Sequence, residues 1–271
     1  MIRHVARLQH VTVRKRYPST TMHMKQQPVA REKLTLLGFC GGAIPIVAEM
    51  ANEALHCSVF DIVKNVDVKY PDRPYEWPEF TFVSHRPGTY DFAREEPNFF
   101  FGVLDSHIKY ILFSWFNKHY GVEKNAYVNL VHPSSYYARS SVNEQGFLLE
   151  PLCVVSSFCK IGFGVSVKRS CSIGHHAEIQ DYVSVNPGAS ISGNVRIGEG
   201  TTIGTGATIN NNVSIGKRSF VGAGSVVTKD VPDGVIAYGN PCRVVRENER
   251  WIKAIERLQA MLASPSGQQP R

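Results

Sequence analysis

The chain holds no Cys-x-x-Cys pair among its six cysteines, so neither a zinc ribbon nor a dithiol redox motif is signalled. No apolar run approaches the roughly 18 residues that a membrane span needs. Acidic residues are missing before Glu32, although residues 1–31 hold seven basic ones: Arg3, Arg7, Arg14, Lys15, Arg16, Lys25 and Arg31. The formal net charge of +7 therefore belongs to this leader. Without those seven, 23 Lys and Arg face 23 Asp and Glu. A neutral body offers no broad basic surface for nucleic acid. The leader also lacks the apolar stretch of a secretory signal. Its Arg-rich, acid-free composition suits a transit peptide, a disordered extension, or a start at Met22 or Met24. With no secretion signal, reduced thiols and a cytoplasmic setting are expected.

What is present is a period of six. Leu149, Val155, Ile161, Val167, Ile173, Ile179, Val185, Ile191, Ile197, Ile203, Ile209, Ile215, Val221 and Val227 form fourteen consecutive aliphatic positions. Helices repeat near 3.6 residues and strands near 2, so neither explains the phase. Two residues before each aliphatic, from 153 to 225, stands a small residue, including Cys153, Cys159 and Cys171. Glycine often follows the aliphatic, as at Gly162, Gly174, Gly198, Gly204, Gly216 and Gly222. Short repeats of fixed period predict a solenoid. One hexad supplies a short strand and a corner, and three close a triangular coil. The cysteines then read as buried filler of the small column.

Ahead of the repeat the pattern alternates. "KLTLLGF", "HCSVFD", "EFTFVSH", "NFFFGVL" and "AYVNLVHP" read as strands. "CGGAIPIVAEMANEAL" and "DSHIKYILFSWFNKHYG" read as helices. The alternation predicts a small parallel sheet with helices on its faces. Pro71 to Pro78 reads as a loop. After the repeat, Trp251, Ile255, Leu258 and Leu262 fall on one helical face, and "SPSGQQPR" as a frayed end. The expected organisation is a basic leader over 1–31, a Rossmann-like α/β domain over 32–132, a β-solenoid over 133–245, and a C-terminal helix and tail over 246–271.

The hexads, with "LLGFCGG", "VNLVHPSS", "IGHHAEIQDYVSVNPGASISGNVRIGEGTTIGTGATI", "VGAGSVVTKDVPDGV" and "GNPCRVV", resemble the left-handed β-helix of the hexapeptide-repeat acyltransferases. The body from about residue 33 to 246 is similar to one branch, the bacterial sugar O- and N-acetyltransferases with a small Rossmann-like domain before the coil. That resemblance implies acetyl-CoA as donor, a sugar acceptor (nucleotide-linked) in surface glycan synthesis, and a homotrimer with active sites between subunits. No metal is expected, because no other histidine lies between Phe147 and Arg271 to join His175 and His176. The resemblance makes His175, two residues after Ile173, the base and Gly193 an oxyanion donor. His176 stands where the family places an acid. The family's cofactor-lining positions fall on Ser184, Thr205 and Ala223, with Gly222 and Gly224 flanking; at Ser184 the family has a histidine.

A histidine suits the implied chemistry, because it titrates near neutrality and can take a proton from an attacking amine or hydroxyl. In the N-terminal domain, Gly38 and Gly41 match the family's glycine loop, with Ala43 replacing its last glycine. A glycine turn beside a helix N-terminus can cradle a phosphate, and Asp61 is expected at the end of the second strand, where an acid can meet a ribose or base. A tight turn without ligand explains the same residues. Three other readings stay open: an acyltransferase for another small molecule, a coil that lost catalysis and serves as a scaffold, and, ranked lowest, a metal enzyme. N- versus O-acetylation is left undecided.

Overall fold

The computed structural model describes residues 32–64, 77–93 and 98–263. The leader 1–31, residues 71–76 of the expected proline loop and the tail 264–271 lie outside them.

The N-terminal domain is a parallel four-stranded sheet. Strand β1 (Lys33–Leu37) leads into helix α1 (Ala43–Leu55), followed by β2 (Val59–Val63), β3 (Thr81–His85), β4 (Phe99–Phe101) and helix α2 (Ser106–Tyr120). The order across the sheet is β3-β2-β1-β4. Strands β1, β2 and β4 are apolar and buried at nearly every position, as expected of parallel strands covered on both faces. Helix α2 stops at Gly121, which takes a left-handed φ of 66° and donates its N–H to Asn117. Only glycine adopts that cap without a side-chain penalty.

The coil begins at Leu130–Val131 and is a three-faced parallel β-helix. Each two-residue strand pairs with the one 18 residues on, as Ser172–Ile173 with Ser190–Ile191 and then Thr208–Ile209. All fourteen aliphatics of the column are buried, and Cys153, Cys159 and Cys171 are buried free thiols beside them. The segment "AYVNLVHP" departs from its expected place in the α/β sheet. Leu130–Val131 pairs with Leu148–Leu149 of the coil, and Tyr127 makes a single bridge to Phe99. The hexad register therefore reaches one coil further back, where Tyr137 and Asn143 occupy strand positions and hide the period.

The corners separate two demands on the backbone. The glycine directly after the aliphatic makes room: a Cβ on Gly174 would lie 2.5 Å from the backbone of Ser192, and one on Gly204 2.5 Å from that of Ala223. The left-handed bend falls two residues later, at Leu152, Phe158, Gly164, Ser170, His176, Tyr182, Gly188 and Asn194 in turn.

Past the coil, Val235–Tyr238 and Arg243–Glu247 form an antiparallel pair, and helix α3 (Glu249–Ala263) returns to the α/β domain. Its buried Ala254, Leu258 and Met261 join the same core as α1, α2 and the coil residues Phe163 and Tyr182. Among the described residues no helix is long and apolar enough to cross a membrane.

Candidate active site

Three sheet faces give three corners per turn. His175, His176 and Gly193 share the corner after the face that contains Ser172–Ile173. The His175 Nδ1 lies 3.1 Å from the His176 Nδ1. The His175 ring spreads over Gly193, where a Cβ would approach its Cε1 and Nε2 to 2.7 Å. Glycine is required there because any side chain would displace the imidazole. His176 holds the left-handed bend, with φ 58°, an uncommon conformation for a residue with a Cβ. Its ring lies against Phe158, centroids 5.1 Å apart. Both histidines are exposed.

The Gly193 N–H donates to Asn211 Oδ1 at 2.9 Å. Asn211 is exposed, so a turn of its side chain would free that N–H for an oxyanion, giving up one hydrogen bond worth about 1 kcal/mol.

Thr205, Ala223 and Gly224 lie together on the preceding corner, exposed. Around Gly206 and Gly224 a Cβ would meet nothing within 4 Å, whereas Gly222 is packed against Tyr238. This corner is an open strip of backbone and small side chains, space enough for an extended thioester arm. It is six residues from the histidine corner, roughly 20 Å along a strand path.

Ser184 is not on that strip. It is 2% exposed and sits under the start of α2, where its hydroxyl donates to the Leu104 carbonyl at 3.0 Å and accepts from Ser106 Oγ at 3.0 Å. The expectation that it lines the cofactor is corrected by this burial. Asp61 is also corrected. Strand β2 runs on to Val63, so Asp61 is central in it, 1% exposed. Its carboxylate is held by Lys33 and by His85 Nε2 at 2.8 Å. Gly38 is buried with φ +86°, and the space for a Cβ is filled by Leu112. Gly41 is half-buried just before α1.

Sequence reasoning missed Lys109. It lies on α2, 1% exposed, and its Nζ donates to the Gly164 carbonyl at 2.6 Å and to Ser166 Oγ at 2.9 Å. Burial, with Lys168 nearby, lowers its pKa to about 7; Asp105 only partly opposes this. "DSHIK" carries no periodic mark of such a contact. Among the described residues no group of three or more His, Cys, Asp or Glu is placed to hold a metal.

A coil of hexads behind a four-stranded α/β domain is the architecture that this chain shares with solved hexapeptide-repeat acetyltransferases. The family model "Bacterial transferase hexapeptide (six repeats)" matches residues 194–229. The acetyltransferase domain of PglB from Neisseria gonorrhoeae, solved with acetyl coenzyme A, is 25% identical over 80% of this chain and all of its own, TM-score 0.64. WeeI from Acinetobacter baumannii is also 25% identical, over 79% of this chain and all of its own, TM-score 0.61. A mutant perosamine N-acetyltransferase from Caulobacter crescentus, solved with CoA and GDP-perosamine, shares the fold at 21% identity and TM-score 0.67, covering 80% of this chain and 98% of that one. A search of curated protein sequences finds no match. The resemblance read from the hexads stands on both the repeat and the two-domain fold.

Proposed function

We propose that the chain transfers an acetyl group from acetyl-CoA to an amine or hydroxyl of a sugar, nucleotide-linked as in the perosamine enzyme. The observation that carries this is the histidine pair over Gly193. Only one of the two facing Nδ1 atoms can hold the shared proton. When His175 holds it, His176 accepts the hydrogen bond and the His175 Nε2 is left with a free lone pair. That nitrogen takes the proton of the attacking acceptor and returns it to the departing thiolate. His176 thus does what a carboxylate does elsewhere: it fixes ring and tautomer. It lacks the charge that would stabilise the imidazolium. A protonated His176 would reverse the pair, forcing the proton onto the Nε2 of a neutral His175 and blocking the base.

A donor lying along Thr205, Ala223 and Gly224 is out of reach of His175 in the same chain, given the span of roughly 20 Å between corners. A second copy brings its own histidine corner to that strip. A homotrimer with sites shared between subunits is the assembly that the family resemblance implies, and it supplies such a second copy.

His175→Ala should lower turnover by roughly 10²-fold or more, the usual size of a general-base contribution, while acetyl-CoA still binds. His176→Glu should move the acidic limb of the pH–rate profile to higher pH, because a carboxylate beside an imidazole favours its charged form. An unchanged rate for His175→Ala together with loss of activity in His176→Ala would place the base on the wrong histidine. No transfer to any sugar and no binding of acetyl-CoA would leave the scaffold reading in its place.

A further inference from the structure

At the carboxyl end of β4 the chain turns through Leu104 and Asp105 into α2. The coil face and the first turn of α3 close around that point and leave a cavity of about 220 Å³. Sites that take drug-sized ligands whole run to about 300–1,000 Å³, so this one suits a single sugar ring rather than an entire nucleotide. Carboxyl ends of parallel strands are where open α/β sheets bind ligands.

The polar groups converge from three elements. From the coil come Lys168 and Asn186, joined Nζ to Oδ1 at 2.8 Å. From the α2 end come Asp105 and His107, and from the start of α3 come Asn248 and Arg250. Asp105 stands at the N-cap of α2 but makes no capping bond with its side chain. Burial lowers the proton affinity of His107, and Asp105 only partly offsets this; the neutral ring offers one donor and one acceptor. Arg250 has no ion pair among the described residues, so two cations face one carboxylate.

Asn248 is 4% exposed. Its Nδ2 donates to the Arg218 carbonyl at 2.8 Å, which fixes the orientation of the amide. Its Oδ1 has no hydrogen-bond partner. A buried carbonyl oxygen without a donor is costly. The oxygen itself is closed to solvent, so Asn248 contributes a fixed wall beside Arg250 and makes no contact with a ligand through that atom.

We infer that this cavity binds the ring of an anionic sugar, one that carries a carboxylate or a phosphate beside its hydroxyls. Lys168 and Arg250 hold the anion, and the neutral ring of His107 and the amide of Asn186 meet the hydroxyls. Lys168 and Asn186 open the corner on which Thr205 and Ala223 stand, so the bound ring lies beside the strip assigned to the donor. Its role as acceptor rests on the acetyltransferase reading; the binding itself does not. Helix α3 is then part of the specificity apparatus, since it brings both Asn248 and Arg250.

Trp251 lines the cavity, and its fluorescence reports occupancy in the full chain. The probes are glucuronate, glucose 1-phosphate and glucose. Both anions should bind at least about tenfold more tightly than glucose, and Arg250→Gln and Lys168→Met should each reduce that preference without changing the melting temperature by more than a few degrees. The tighter of the two anions identifies the group as carboxylate or phosphate. Trp251→Phe should remove the signal, while calorimetric binding persists. Glucose binding as tightly as glucuronate, or a preference untouched in both cation variants, overturns the site. If the anion preference is found but no acetyl group is ever transferred to any sugar, the acetyltransferase reading fails and the site stands. If an anionic sugar is acetylated with a KM that both Arg250→Gln and Lys168→Met leave unchanged, the site fails and the reading stands.

Discussion

Inside the coil, Ile173 stands in register with Ile191 and Ile191 with Ile209, and small hydroxyls such as Thr201 are bonded to backbone carbonyls. In the seam between coil and α2, Lys109 is as buried as the aromatic rings around it. There Phe113 packs on Phe163 with centroids 4.8 Å apart, Tyr110 on Tyr182 at 5.6 Å, and Arg218 lies over both Tyr110 and Trp251. The coil repeats one apolar solution every 18 residues, so each contact resembles the next. The seam is solved once, with aromatic edges and a buried amine, and its partners lie more than 30 residues apart in sequence. A repeated interior spreads a loss over similar neighbours. A unique seam concentrates it on a few groups that also carry charge.

The strongest way to break the comparison is in the coil. Ile197→Asp places a carboxylate without partners in the stacked interior and should cost several kcal/mol. Arg196→Asp, its exposed neighbour, should cost under about 1 kcal/mol, since it loses a single surface ion pair to Glu178 at 3.5 Å. Urea unfolding of both variants checks this; equal losses would mean that the register is wrong.

The seam should answer to pH. The folded state lowers the pKa of Lys109 to about 7 from an unfolded value of 10.5, so between those values the unfolded chain binds more protons. Stability owed to Lys109 therefore rises with pH across that window, and the full penalty is present below it. Lys109→Met removes this dependence and leaves the Gly164 carbonyl short of a donor, a roughly constant cost of about 1–3 kcal/mol. The difference in stability, wild type minus variant, should grow by roughly 1 kcal/mol per pH unit above pH 7. Taking the difference cancels the buried thiols and phenols that titrate in the same range. A flat difference from pH 6 to 9 would show that the amine is not desolvated.

A modest effect is expected in the small column of the coil. Cys159→Ala should cost about 1 kcal/mol, because Ala177, Ala189 and Ala207 already fill equivalent buried positions. A loss near that of Ile197→Asp would mean that the thiol does more than fill space.

Reading the sequence went wrong where a residue's surroundings come from elsewhere in the chain. Asp61 looks like the end of a strand, yet β2 continues to Val63 and Lys33 and His85 close on the carboxylate. Ser184 looks like any outward hexad position until α2 covers it. His175 and His176 were visible as a pair, but not the 3.1 Å contact of their Nδ1 atoms or the ring over Gly193.

The sequence by itself determined the coil, its inward column, its small-residue corners and the strand–helix alternation ahead of it. Those features recur at fixed short spacing, and backbone geometry turns spacing directly into direction. Tertiary structure alone decided that Lys109 is dry, that Asn248 and Arg250 reach the end of β4, and that Asp61 and Ser184 are engaged within the fold. Each of these depends on two distant segments meeting at van der Waals distance, and no local period encodes such a meeting.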